Sequence, residues 1–288
     1  MVEEPAYSTD QATAWLQHIR LPTSSNVLLE YTVNPSTFTK TYEALRTLMR
    51  RQISRFPMRT FLIFFYHMLR ALGFRAYMTR VRNRSRMNGV QKGEYQGLTH
   101  INNIVHLPSG QRFSIDVGFG GDGPTSPLPL DEQGLAVHNL GRQEVRLIHD
   151  NIPKQRIKDN KLWIYQYLNA PENDWNSFYS FAELEFFQED FEVLNLWGSA
   201  KTLHPWTVLV VRFLRPCGRV KPDNDDIKIV GKVMLVGSVV KVNLGGKTSI
   251  MHSFGSEEGR MQAFKYYFDI TLMEQEAQSV RGWDKALG

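Results

Sequence analysis

The spacing of apolar residues changes once along the chain, near Gly73, and this change limits the possible folds more than any other feature. Before it, apolar residues recur at helical spacing, as in Leu45, Leu48, Met49 and Ile53. After it, they alternate with polar residues, which is the pattern of a half-buried strand. Helices followed by a run of strands are typical of an α+β protein, because a parallel sheet needs the two elements in alternation.

Start and stop signals divide these two parts into elements. Ser8 to Asp10 caps a first helix that ends at Ile19, before Pro22, and Gly73 ends a third helix. The predicted helices are 8–19, 41–54, 61–72 and a last helical region over 257–275. The predicted strands are 76–82, 99–107, 112–119, 145–149, 162–167, 208–213, 227–235 and 239–243.

The most apolar stretch is FLIFFYHML, residues 61–69, which has nine residues without a charged side chain. A membrane span needs about 20 apolar residues, so this stretch predicts a buried helix. The first ten residues, MVEEPAYSTD, are acidic and polar, unlike a secretory signal. We therefore expect no membrane partner. The single cysteine, Cys217, fits a reducing compartment, and we expect a cytoplasmic location.

Composition and charge exclude several classes of protein. With 288 residues, 42% apolar and 22% charged, the chain is an ordinary globular one with room for two or three packed lobes. A single cysteine excludes an internal disulfide and a multi-cysteine zinc site, and no histidine lies in a metal motif, so we expect no metal. The net charge of +5 indicates either an anionic ligand, such as a phosphorylated cofactor, or simple surface solubility.

Four arginines recur at every second position, at Arg80, Arg82, Arg84 and Arg86. This spacing places them on one face of a strand. A solvated strand end explains them better than a nucleic-acid surface, because the chain has no RNA-recognition, helix-turn-helix or zinc-finger pattern. We expect no nucleic-acid partner, and the oligomeric state is left open.

A predicted hairpin brings two chemically useful residues together. If Pro108 to Gly110 is a three-residue loop, paired residue numbers sum to 218, so Asp116 faces Asn102 and lies diagonal to His100 on the same face. This spacing permits a hydrogen bond between His100 and Asp116, in which the acid would fix the imidazole tautomer. A four-residue loop would separate them, and a purely structural pair is the alternative.

The glycine-rich segment after this hairpin is the most distinctive part of the chain. Thr99 and His100, the block DVGFGG at 116–121, and Gly-Pro-Thr at 123–125 closely resemble the arylamine N-acetyltransferases, especially their fungal branch. The resemblance covers roughly residues 40–285. Its other matches are LRALGFRAYMTRVRNR at 69–84, Trp-x-Tyr-Gln at 163–166, the run 175–186, the Asp-Phe-Glu of 190–192, Asn195, Ser199 and Trp206.

The resemblance implies an α+β fold of three parts: an N-terminal helical bundle over 1–88, a central antiparallel β-barrel over 89–205 and a C-terminal α/β lid over 206–288. It implies acetyl-CoA or another acyl-CoA as donor and a small aromatic or amine molecule as acceptor. In the family, the thiolate of a Cys-His-Asp triad takes the acyl group and then passes it on. His100 and Asp116 match the histidine and the aspartate. Gly120, Gly121 and Thr125 are candidates to bind CoA.

The triad's cysteine has no counterpart at the expected place. It ends the family motif Arg-Gly-Gly-(Tyr or Phe)-Cys, and counting back from Leu69 by the family's spacing reaches Met58, whose thioether cannot hold an acyl group. A second alignment matches Pro57 to a proline before that motif, so that some tens of residues are absent between Pro57 and about Phe61. We favour the second alignment. Cys217 lies in a Pro/Gly-rich loop where the family has no catalytic residue.

Three functional hypotheses follow from this. The first is a divergent enzyme of secondary-metabolite type, in which His100 and Asp116 catalyse acyl transfer or a cyclisation in a pocket lined by Phe61, Phe64, Phe119 and Trp206. The second is a non-catalytic family member that binds an aromatic ligand or pairs with an active paralogue. The third is an inactive splice or deletion form of an acetyl-CoA-dependent arylamine N-acetyltransferase.

Overall fold

The computed structural model describes residues 6–19, 21, 38–55, 61–87, 90–201, 207–216, 228–279, 281–282 and 286–287. For Phe61 and for 197–201 the description is limited to the backbone. Met58, Trp206 and Cys217, which enter the sequence-based hypotheses, lie outside the described residues.

The first three helices begin and end close to where the sequence predicts. Ser8 caps the first helix, its hydroxyl accepting from the Gln11 amide at 3.3 Å while its own amide donates to the Gln11 side chain at 2.9 Å. Gly73, at φ +80°, donates to the Arg70 carbonyl at 2.8 Å and so ends the third helix. The described α-helices are α1 Thr9–His18, α2 Tyr42–Arg55, α3 Phe61–Ala71, α4 Gln188–Lys201, α5 Glu257–Ala263 and α6 Glu274–Gln278.

An eight-stranded antiparallel sheet forms the centre of the protein, with the strand order β4-β3-β2-β1-β8-β7-β6-β5. It curls until β4 contacts β6, which makes a nearly closed barrel. Its strands are β1 Arg75–Met87, β2 Val90–His106, β3 Arg112–Ile115, β4 Leu128–Pro129, β5 Val137–His138, β6 Glu144–Asp150, β7 Leu162–Leu168 and β8 Asn176–Phe181.

A second antiparallel sheet follows, in the order β12-β11-β10-β9. Its strands are β9 Leu209–Leu214, β10 Gly231–Val236, β11 Val239–Asn243 and β12 Ser249–Ser253. Val233, Leu235 and Val240 pack against Ala263 and Phe268 from the C-terminal helices. The three-part α+β architecture is therefore present. The boundaries after residues 88 and 205 stay predictions, and β1 already starts at Arg75.

The two faces of the barrel sheet pack against different neighbours. Val81, Ile104 and Tyr165 point into the barrel and pack against its other inward side chains. On the other face, Ile101 and Val105 pack against the helices α1, α2 and α3. Side chains alternate between faces along a strand, so each strand serves both cores.

The hairpin of β1 and β2 is longer than predicted, and its arginines explain why it holds. The strand pairing shifts register between Val81 and Arg86, and such irregularities interrupt the ladder of backbone hydrogen bonds. Arg80, Arg82 and Arg84 donate to the carbonyls of Leu98, Gln96 and Gly93 at 3.2, 3.4 and 3.1 Å. Residues of low strand propensity thus form a strand, because the guanidinium groups donate hydrogen bonds to its backbone carbonyls.

Other predicted bounds were wrong for local reasons. The strand predicted over 112–119 ends at Ile115, because Asp116 accepts from the Gly118 amide and turns the chain. The helix predicted over 257–275 is interrupted by a π-helical turn, Phe264–Phe268, and by Asp269 at φ 59°. β8 and α4 were not predicted as elements. Among the described residues, no helix has both the length and the apolar character that a membrane span requires.

Candidate functional site

The hairpin of β2 and β3 has the register that the sequence predicts. Asn103 pairs with Ile115 and His106 with Arg112, so the paired numbers sum to 218. The turn is closed by the Gly110 amide, which donates to the Leu107 carbonyl at 3.0 Å, and Gly110 has φ +88°. The three-residue loop is confirmed, and with it the face that His100 and Asp116 share.

His100 and Asp116 form a close, buried pair inside the barrel. The distance from His100 Nε2 to Asp116 Oδ2 is 2.7 Å, the Asp116 side chain has no exposed surface, and the His100 side chain is 14% exposed. The other carboxylate oxygen accepts from the Gly118 amide at 2.9 Å. A carboxylate oxygen acts as acceptor for an imidazole N–H, so we assign Nε2 as the donor in this contact and Nδ1 as the ring nitrogen left for another partner.

Gly118 ties this pair to the helix α3. A Cβ atom on Gly118 would lie 2.5 Å from Leu62 Cδ1, so a side chain has no room there. The Leu62 carbonyl in turn accepts from the Asn103 side chain at 3.2 Å. The turn that orients Asp116, the strand that carries His100 and the start of α3 therefore form one packed unit.

Aromatic rings surround His100 on the inner face. Phe119 lies 5.4 Å from the imidazole and 4.9 Å from Tyr179, measured between ring centroids. Burial raises the pKa of Tyr179 and of Tyr165 well above the ordinary value, and the negative charge of Asp116 adds to both effects. Both phenols therefore stay neutral, and Phe119, Tyr165 and Tyr179 form an aromatic wall on this side of His100.

The glycine-rich segment after Phe119 forms a short 3₁₀ turn, Gly120–Asp122, that contacts the second sheet. Lys232 of β10 donates to the Gly121 carbonyl and lies 3.8 Å from the Asp122 carboxylate, which also pairs with Arg86. Burial lowers the pKa of Lys232, while Asp122 opposes that effect. Two cationic side chains thus lie beside the turn, which suits an anionic group.

The remaining predicted site residues are not all close to His100. Thr125 is 1% exposed, its amide donates to Asn139 Oδ1 at 2.8 Å, and its hydroxyl donates to the Asn139 carbonyl at 3.2 Å. Phe64 packs against Tyr7 and Trp15, with centroid distances of 5.6 and 6.4 Å. The residues that the structure brings together are His100, Asp116, Phe119, Gly120 and Gly121.

Sequence reasoning missed Tyr165, Tyr179 and Lys232 as neighbours of this site. Tyr165 and Tyr179 alternate with outward residues in strands that the chain reaches long after His100, and Lys232 belongs to the other sheet. The sequence of β7 shows alternating residues, which indicates that one set faces inward. It does not show which strand pairs with β1. Among the described residues, no group of three or more histidine, cysteine, aspartate or glutamate side chains could hold a metal ion.

Comparison with known proteins fits this geometry. The sequence model described as N-acetyltransferase matches residues 63–233, more than half of the 288 residues. The chain belongs to the arylamine N-acetyltransferase family. Similar members include the N-malonyltransferase FDB2 of Fusarium pseudograminearum, 27% identical over 190 residues, and that of Gibberella moniliformis, 26% identical over 197 residues. These alignments cover 63% and 66% of this chain but 53% and 55% of the relatives, so the chain spans about half of their length.

Solved arylamine N-acetyltransferases share the fold across nearly the whole chain. The enzyme from Salmonella typhimurium superposes with a TM-score of 0.71 at 19% identity, covering 95% of this chain and 98% of that one. The Mycobacterium marinum enzyme in complex with CoA gives a TM-score of 0.65 at 17% identity, covering 90% and 92%. At these identities the likeness shows the arylamine N-acetyltransferase fold.

Proposed function

We propose that this arylamine N-acetyltransferase relative transfers an acyl group directly from an acyl-CoA to a small amine, with His100 as general base and Asp116 as its partner. The proposal rests on the buried 2.7 Å contact between Nε2 and the carboxylate, which leaves Nδ1 as the ring nitrogen for proton transfer. An acid that holds the tautomer and stabilises the imidazolium is what a histidine base requires.

The cysteine content of the sequence supports the direct route. The single cysteine is Cys217, and residues 54–60, SRFPMRT, contain neither a thiol nor a pair of glycines. The chain therefore has no nucleophile that could form a thioester at the place where the family motif ends. In the direct step, the amine nitrogen attacks the thioester carbon and the C–N bond forms. The C–S bond breaks, the amine proton moves to His100 Nδ1, and the CoA thiolate leaves and then takes that proton.

The surroundings of His100 suggest where the two substrates lie. We place the aromatic or amine acceptor against Phe119, with Phe61, Phe64 and Trp206 as further candidates for the pocket wall. The acyl donor is placed beside Gly120 and Gly121, where Arg86 and Lys232 supply positive charge. Thr125 contributes there by shaping the segment through its bonds to Asn139.

Malonyl is the first acyl group to test, because the curated relatives are named N-malonyltransferases. Acetyl is tested beside it as the second acyl group. Acyl transfer is favoured over cyclisation for the same reason, and an acceptor of secondary-metabolite type and a cytoplasmic location remain part of the proposal. Base catalysis contributes about 10²–10⁴-fold, so positioning of the two substrates has to supply much of the rate.

The test combines turnover and intact-protein mass. Malonyl-CoA and acetyl-CoA are each incubated with a panel of arylamines, with wild type, His100→Ala and the control His252→Ala, whose side chain is exposed on β12. We expect amide product from wild type and the control, about 10²-fold or more loss in His100→Ala, and no mass gain on the protein.

Each other outcome has a definite meaning. A stable acyl-protein would overturn the direct route. Equal turnover in His100→Ala would remove His100 from the mechanism. No product from wild type with any donor and acceptor pair would favour the non-catalytic or inactive form, an alternative that the lone cysteine supports.

A further inference from the structure

A cavity of about 410 Å³ opens on the outer face of the barrel sheet. Arg82 of β1, Tyr95 of β2 and Leu162 of β7 line it, together with Ile152 and Lys154 from the loop between β6 and β7. Its volume lies in the range of about 300–1,000 Å³ that small-molecule sites occupy.

This cavity lies on the face opposite to the His100–Asp116 pair. Arg82 pairs with Ser180, and Ser180 pairs with Ile164, so these three side chains share one face. The next residue, Val81, pairs with His100 and belongs to the barrel interior. A ligand in the cavity is therefore separated from His100 by the sheet itself.

The floor of the cavity is apolar and separate from the main cores. Tyr95, Ile152 and Ile164 are 9%, 5% and 5% exposed and form a cluster of their own, against which Ile148 and Leu162 pack. The loop above keeps its shape through Gln155, whose Oε1 accepts from the Ile152 amide at 2.8 Å and whose Nε2 donates to the Asn160 carbonyl. The apolar part of a ligand would thus contact a surface whose shape is already formed.

The rim of the cavity is cationic. Arg82 makes one hydrogen bond, a long one of 3.4 Å to the Gln96 carbonyl, and a guanidinium has five donors. Lys154 pairs with Glu94 at 3.2 Å, but the two side chains are 64% and 68% exposed, and such a pair contributes little. The rim thus carries two positive charges and one carboxylate, and this excess of positive charge favours a ligand with an anionic group.

We propose that this cavity binds a small molecule with an apolar body and a single carboxylate. The body lies against Tyr95, Ile152 and Leu162, and the carboxylate lies between Arg82 and Lys154. This site is independent of the proposed acyl transfer and would exist in a non-catalytic protein as well.

Calorimetric titration with naphthoate tests the proposal, and naphthamide serves as the uncharged probe of the same shape. We expect naphthoate to bind the wild type with a dissociation constant of about 1 mM or tighter, and naphthamide to bind more weakly. Arg82→Gln should weaken naphthoate about tenfold, because a charge-assisted hydrogen bond is lost. Lys154→Gln should weaken it about two- to fivefold, because that side chain is solvated.

Three further variants locate the probe. Leu162→Phe fills the cavity and should abolish binding, with thermal unfolding used to show that the protein still folds. Lys158→Gln changes an exposed lysine of the same loop that does not line the cavity, and should bind as wild type. His100→Ala should also bind as wild type, since it lies on the other side of the sheet.

The proposal is overturned if naphthoate gives no binding heat up to millimolar concentration, or if naphthamide binds equally well. The proposal is also overturned if Arg82→Gln and a folded Leu162→Phe both bind naphthoate with the affinity of the wild type. Loss of binding in His100→Ala would place the probe in the barrel interior and would contradict the outer site.

Discussion

The inner and outer faces of the barrel sheet are built from alternate residues of the same strands, yet their polar groups are held in different ways. Inside, Asp116 and His100 bond to each other, and the amide of Gly118 completes the pair. Outside, Arg82 and Arg84 bond to backbone carbonyls of the neighbouring strand. The inner pair has the contact that our proposed general base requires, whereas the outer arginines Arg82 and Arg84 connect the two strands of a bulged hairpin.

This difference separates two kinds of mutational effect. A change on the inner face should act on chemistry, because a buried carboxylate and a tautomer are involved. A change on the outer face should act on stability, because arginine there replaces missing ladder hydrogen bonds. The effects expected for Asp116 and Arg84 compare the two faces directly, and those for Gly118 and Tyr77 concern the packing and burial around the inner pair; the largest effect comes first.

Asp116→Asn should reduce acyl transfer by about 10²–10⁴-fold, because a neutral amide cannot stabilise the imidazolium and, with a donor as well as an acceptor, no longer fixes which ring nitrogen carries the proton. Initial rates with malonyl-CoA and an accepted arylamine measure the effect. Asp131→Asn is the matched control, since Asp131 follows the same hairpin but its side chain is 38% exposed and pairs with Arg112. Similar rates in both variants would mean that the inner pair has no chemical role.

Gly118→Ala should lower the free energy of unfolding by about 1–3 kcal/mol, because the new methyl group meets Leu62. Urea unfolding measures the loss. Gly97→Ala, with nothing within 4 Å of the added atom, should lie within about 0.5 kcal/mol of wild type. In a Leu62→Ala background, Gly118→Ala should cost less than in wild type, and an unchanged cost would contradict the close approach.

Arg84→Gln should lower the free energy of unfolding by about 1–2 kcal/mol. Arg84 bonds the Gly93 carbonyl at 3.1 Å and Asn176 Oδ1 at 2.8 Å, and lies over the Tyr95 ring. Arg82→Gln should cost less, since Arg82 makes a single long bond. Chemical unfolding of the two variants shows which loses more free energy of unfolding. A larger loss in Arg82→Gln would contradict the larger stabilising role that we assign to Arg84.

Tyr77→Phe should remove part of the alkaline loss of stability. Burial, together with the charge of Glu183, raises the pKa of Tyr77 to about 12 from 10.0. Between these values the unfolded chain has lost the phenol proton and the folded chain has kept it, so stability falls as pH rises. The full shift corresponds to about 2.7 kcal/mol, but Tyr77 is only half-buried and solvent weakens the effect, so the wild type should lose about 1 kcal/mol more than Tyr77→Phe over this range. Parallel loss in both proteins, measured by urea unfolding at several pH values, would refute this.

The sequence predicts the His100–Asp116 pair well because the pair depends on one short loop. Once Pro108 to Gly110 is read as a three-residue turn, the register follows, and both residues lie within one hairpin. The family motif at 116–121 likewise indicates the fold, because its glycines meet local steric needs such as the contact of Gly118 with Leu62.

The rest of the site depends on contacts between distant parts of the chain. Tyr179 reaches His100 because β8 lies between β1 and β7, and Lys232 reaches Gly121 from the second sheet. No local pattern determines either arrangement. The outer half of the β1–β2 hairpin was also missed, since its strand content depends on arginine bonds across a bulge and not on apolar alternation.

The packing of Gly118 against Leu62 has a consequence for how such enzymes can change during evolution. Leu62, Asn103 and Gly118 hold the base in place, and none of them belongs to the segment where the family carries its thiol. A lineage could therefore lose or replace the nucleophile while inheriting an intact proton acceptor. In this family, a well-formed His–Asp pair is therefore evidence of ancestry, and the proton-transfer and covalent halves of the chemistry each have to be established by experiment.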